Sequence, residues 1–92
     1  MHNLTFTQEL IREGDAIVAY CPELDVSSCG ATPEQARNNL RTAVRLFTEE
    51  AAQMGTLADI LSEAGYDLTR TVLASPVFEI TQGSLSLEGL AI

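Results

Sequence analysis

The chain has no lysine, no tryptophan, a single histidine and two cysteines, and no apolar run near the roughly 20 residues that a membrane-spanning helix needs. Without lysine, and with five arginines against 13 acidic residues, the net charge is -8. The cationic footprint that a phosphate backbone demands is missing, so direct nucleic-acid binding is not expected. Two cysteines are too few for the disulfide framework of a small secreted domain, and a reducing compartment would keep both as thiols. With His2 as the only other soft ligand, Cys21 and Cys29 make no metal signature, and His2 is also the only histidine able to activate either thiol. There is no glycine-rich phosphate loop and no Ser/His/Asp set, so neither a cofactor nor an enzyme is expected. The start Met1-His2-Asn3-Leu4 shows no basic stretch followed by an apolar core, which points to the cytoplasm.

What remains is ordinary globular composition. The 46% hydrophobic and 20% charged residues suit a folded chain, and 92 residues suffice for one small domain. Leu4, Phe6, Gln8 and Leu10 alternate with Thr5, Thr7, Glu9 and Ile11, the period of two that predicts a half-buried strand over residues 3 to 12. Glu13-Gly14-Asp15 supplies a hairpin connection, and Ala16 to Cys21 follows as a second, central strand. Both faces of that strand are apolar, so a helix on one side would leave the other needing a cover. Pro22 stops it, and Leu24 to Cys29 reads as a third strand running back. A hairpin centred near Asp25 would set Cys21 opposite Cys29, close enough for an adventitious disulfide.

Thr32-Pro33-Glu34-Gln35 is a helix start: Thr32 as cap, Pro33 in the first position, and Gln35 able to reach back to the Thr32 amide. Ala36, Leu40, Ala43, Val44, Phe47, Ala51 and Met54 then recur three and four apart, and Gly55 ends the run, giving a helix from Pro33 to Met54. Thr56 is placed to cap a shorter helix with Leu57, Ile60, Leu61 and Ala64 on one stripe and Gly65 as its stop. Beyond Tyr66, the stretches 69 to 73 and 77 to 81 are β-prone, and the last ten residues are rich in Gly, Ser and Leu. The expected architecture is α+β: a three-stranded antiparallel meander packed by one long helix and a short second one. It forms one unit over residues 1 to 66, with residues 67 to 92 as an extended arm or strand used in oligomerisation.

Acidic residues outnumber arginine five to one in residues 1 to 32 and again in 55 to 92, while residues 33 to 54 carry three of each. The negative charge therefore lies off the main helix, where it can keep the protein soluble or steer a basic partner. Glu23 with Asp25, and Glu49 with Glu50, have no spacing specific to metal binding or acid-base work. Arg37, Arg41 and Arg45 make a helical stripe, with Glu49 in reach of Arg45, and read as a solvated face.

The run Val18-Ala19-Tyr20-Cys21-Pro22-Glu23-Leu24-Asp25, continuing to Cys29-Gly30 and then to Thr32-Pro33-Glu34-Gln35-Ala36-Arg37-Asn38-Asn39-Leu40, resembles the HicB-type antitoxin family over roughly residues 4 to 65. The resemblance implies a reduced ribonuclease H-like fold without catalytic acids. It also implies pairing with HicA, a small basic messenger-RNA-cleaving toxin of double-stranded RNA-binding-domain type, whose active site the antitoxin blocks. Relatives often append an operator-binding domain, whereas residues 67 to 92 are short and, apart from Arg70, carry no basic group for groove contacts. On this reading Glu9, Glu23 and Asp25 steer the partner and Leu24 anchors it. The competing readings are a solitary, self-associating HicB-like module without a toxin and, last, residual metal-dependent hydrolysis on the sheet.

Overall fold

A computed structural model describes residues 2 to 92 of the chain. In chain order the elements are β1 (Asn3–Leu4), β2 (Glu9–Glu13), β3 (Ala16–Cys21), β4 (Val26–Gly30), α1 (Pro33–Gln53), α2 (Leu57–Glu63) and β5 (Val72–Leu73). Strands β2, β3 and β4 form the antiparallel meander in that order, and β1 pairs separately with β5 in a short parallel ribbon.

The first predicted strand is thus two strands. Between them the ladder stops, since β3 ends at Cys21 and leaves no strand residue opposite Thr7; the Thr5 amide bonds the Leu73 carbonyl, and the Thr7 amide bonds the Glu23 carboxylate at 2.8 Å. The hairpin to β3 closes at the Glu13–Ala16 pair over two residues, with Gly14 at φ 61, the first-position glycine of a type II′ turn. The next hairpin closes at Cys21–Val26, so β4 begins two residues later than Leu24. Asp25 sits there at φ 54, a left-handed conformation that a short polar side chain tolerates. This register also corrects the expected thiol pairing. Cys21 faces Val26 while Cys29 faces Val18, which puts the two sulfurs on opposite sides of the sheet.

Helix α1 lies across one side of the sheet, mainly over β4 and β3. Ala36, Leu40 and Val44 meet Ile17, Ala19 and Cys21 there, and Leu61, Tyr66 and Leu73 complete the core. The Thr32 hydroxyl accepts from the Gln35 amide, while Gln35 reaches past Thr32 to the Ala31 amide at 3.0 Å. Asn39 fastens the helix to the sheet by donating to the Cys29 carbonyl at 2.8 Å. Met54 ends α1 exposed, off the buried stripe. Thr56 does not cap α2 with its side chain, because its hydroxyl turns back to the Ala51 carbonyl. The unit closes later than Tyr66: Leu73 is buried, Ser75 is bonded to the body, and only beyond Pro76 does the chain leave it.

Gly30 is required by close approach. A methyl group there would stand 2.7 Å from both the Ala36 amide nitrogen and the Gln35 Cβ, against a helix start held by its cap. Gly30→Ala is expected to destabilise the fold by about 1–3 kcal/mol through overpacking, lowering the thermal midpoint by several degrees in a melting experiment. An unchanged midpoint would show that the helix start is free to move.

Candidate functional site

Directly paired residues of a sheet share a face, so the register defines the side that α1 leaves open. Glu9 pairs with Tyr20, Ile11 with Val18 and Glu13 with Ala16, while Cys29 pairs with Val18 and Ser27 with Tyr20. The open face therefore holds Val18 and Tyr20 on its central strand, with Ile11 between Glu9 and Glu13 on the edge strand β2. Ile11 is half exposed, Val18 and Tyr20 are partly covered, and Cys29 is exposed. Asp25 joins this face from the turn, accepting a 2.9 Å hydrogen bond from the Tyr20 hydroxyl. That bond, with partial desolvation and the charges of Asp25 and Glu9, holds the Tyr20 phenol above its usual range. A tyrosine at such a position offers both an apolar ring and a polar tip.

Of the four residues assigned to partner contact, Glu9 and Asp25 meet on this face. Leu24 does not: it is 8% exposed and belongs to the core, so its apolar surface is used within the chain. Glu23 is also turned inward. Its Oε2 accepts from the Thr7 amide and the Thr7 hydroxyl, both at 2.8 Å, and from the Ser75 hydroxyl, while Cys21 donates to its Oε1 at 3.5 Å. Partial burial opposes its charge, and the hydrogen bonds from Ser75, its own backbone and Thr7 outweigh that opposition, setting its pKa below the ordinary 4.5. The residues that sequence reasoning missed are Ile11, Glu13, Val18 and Tyr20. For Val18 and Tyr20 the signal was present in the apolar second face of β3, which the long helix could not cover; Ile11 and Glu13, on β2, join them through the hairpin register.

The cysteines divide in the same way. Burial raises the Cys21 thiol to about 11, with the neighbouring Glu23 carboxylate adding to the shift, so Cys21 is a neutral packing group at ordinary pH. Tyr66 is buried and its phenol is raised by burial and by the Glu23 charge; it donates to the Thr5 carbonyl at 2.7 Å. Arg37, Arg41 and Arg45 are exposed, and Arg45 pairs with Glu49 at 3.8 Å, an exposed contact of small energetic weight. Among the described residues no three His, Cys, Asp or Glu side chains stand together as a metal-binding group, and no helix is long and apolar enough to cross a membrane.

Fold and face together define a small α+β protein with one side of its sheet packed by a helix and the other left as an acid-edged apolar surface. Comparison with protein-family models, with curated proteins and with solved structures finds no match to the chain.

The Glu23 cluster carries its own test. Because the folded-state pKa is lowered, the stability Glu23 contributes is present above pH 4.5 and is lost as pH falls through the folded value. Glu23→Gln should cost about 1.5–3 kcal/mol at neutral pH, the scale of hydrogen bonds to a charged acceptor. Its penalty should shrink in chemical denaturation at pH 3 relative to pH 7. A penalty that stays constant across that range would show that the carboxylate charge contributes nothing.

Proposed function

We propose that the chain is a HicB-like antitoxin that acts by binding, without catalysis, in the cytoplasm. It neutralises a small, basic, HicA-type RNA-cleaving protein by laying the open sheet face over it. One observation carries the reading: Glu9, Glu13 and Asp25 border an uncovered apolar strip of Ile11, Val18 and Tyr20. Acidic groups around an apolar centre match the usual layout of a protein interface, in which charges steer encounter and buried apolar and aromatic side chains hold the complex. The overall charge of -8 has the sign that a basic partner requires. The HicB-like run from Val18 to Leu40 falls on β3, the Asp25 turn, β4 and the start of α1, and so includes Val18, Tyr20 and Asp25 of the open face. A solitary module without a toxin uses the same fold, and the presence of a basic partner distinguishes the two readings.

The test is to coexpress the chain with a small basic protein encoded beside it, whose presence the reading requires, and to follow growth, copurification and the rate of association. The wild-type chain should restore growth and copurify with that protein. Glu9→Lys with Glu13→Lys should slow association at least tenfold at low salt, with the difference narrowing as ionic strength rises. Failure to restore growth, or association unaffected by the double reversal, would remove this reading.

A further inference from the structure

Residues 77 to 92 form no helix or strand, and every one of them is exposed. They are not a polar tail. Phe78 is 95% exposed, Leu85 79% and Leu87 49%, and Ile80 and Leu90 are also exposed. The radius of gyration is 16.2 Å, with extents of 52 × 28 × 20 Å, whereas a compact 92-residue domain has about 12 Å. The accessible surface is 6992 Å², against roughly 5,200 Å² for a folded monomer of 9.9 kDa. The excess, about 1,800 Å², exceeds the roughly 800 Å² that each partner contributes to a stable interface.

The arm leaves the body at a fixed point. The Ser75 amide donates to Thr5 Oγ1 at 2.7 Å, the Ser75 hydroxyl donates to Glu23, and the Val77 amide donates to Ser75 Oγ at 3.0 Å. Beside that point lies an open apolar groove of about 440 Å³ between the end of α1, α2 and β5, lined by Ala52, Leu57, Ala58, Leu61, Leu68 and Leu73 among others. Among the described residues, none that lines it is acidic. The open sheet face is the poorer match for the arm, since Glu79 and Glu88 would meet Glu9, Glu13 and Asp25 there, acid against acid.

We propose that two copies of this chain exchange arms, each placing Leu85 and Leu87 in the groove of the other. The nine residue steps from Pro76 to Leu85, extended, span about 30 Å, far enough to cross to a neighbouring copy. Leu73, at the base of the arm, itself lines the groove, so reaching its own groove would require the arm to double back. The exchange leaves both acidic sheet faces free. It stands independently of the toxin reading, because it concerns the isolated chain.

Two variants of the full chain test it, both at exposed positions. Leu85→Asp with Leu87→Asp spoils the arm and keeps the groove, while Ala58→Glu obstructs the groove and keeps the arm. In sedimentation at about 50 µM, wild type should run as a dimer and each variant as a monomer. An equimolar mixture of the two variants retains one intact arm and one intact groove, so it should recover dimer at higher concentration. A monomeric wild type, including one whose arm folds onto its own groove, would overturn the proposal. So would a dimer that survives either variant, or a mixture that stays monomeric.

Discussion

The carboxylate of Glu23 is the constraint on which the arrangement depends. It stands in the turn between β3 and β4 and takes hydrogen bonds from Thr7, which lies between β1 and β2, and from Ser75, which follows β5. Three stretches far apart in sequence are thereby held at one point beneath Tyr66, whose hydroxyl ties the Thr5 carbonyl to the same cluster. The Thr7 amide is held by Glu23 between β1, which pairs with β5, and β2, which pairs with β3. Holding Ser75 sets the place and direction in which the arm departs. An acidic residue read as a surface contact is thus the anchor of the fold, because ionised carboxylates with several donors are stable when partly buried.

Where local signals agreed, the sequence was a sound guide. Ala16 to Cys21 forms β3 over that span, and the cap-proline start with its three-and-four apolar spacing gives α1, short of the expected end by one residue. Non-local bonding accounts for the failures. Nothing in the alternation of residues 3 to 12 shows that Glu23 will capture the Thr7 amide, and nothing around Leu24 shows that the turn will fold it into the core. Gln35 differs by one local choice, its side chain serving the Ala31 amide in place of its neighbour's. For the candidate site, the two-sided apolar character of β3 made an uncovered face legible. Which acids border it depended on the hairpin registers, and these follow from turn lengths that the sequence left ambiguous.

The surface that emerges has two unlike parts. The sheet face is acid-edged around an apolar strip and suits a basic protein. The groove beside α2 has no acid and suits an apolar segment. In the proposed scheme each meets a different occupant, the toxin on the first and a second copy's arm on the second. The two contacts do not compete. In that scheme net charge would act on both in opposite senses, steering a cationic partner inward while keeping like copies apart except where desolvated leucines outweigh the repulsion.

Amide hydrogen exchange on the intact chain at neutral pH tests the central claim most directly. With Glu23 as the anchor, the Thr7 amide, which has no ladder partner, should exchange as slowly as the paired amides of β3. It should lose that protection selectively in Glu23→Ala. A Thr7 amide that exchanges at the rate of an unprotected loop would contradict the account.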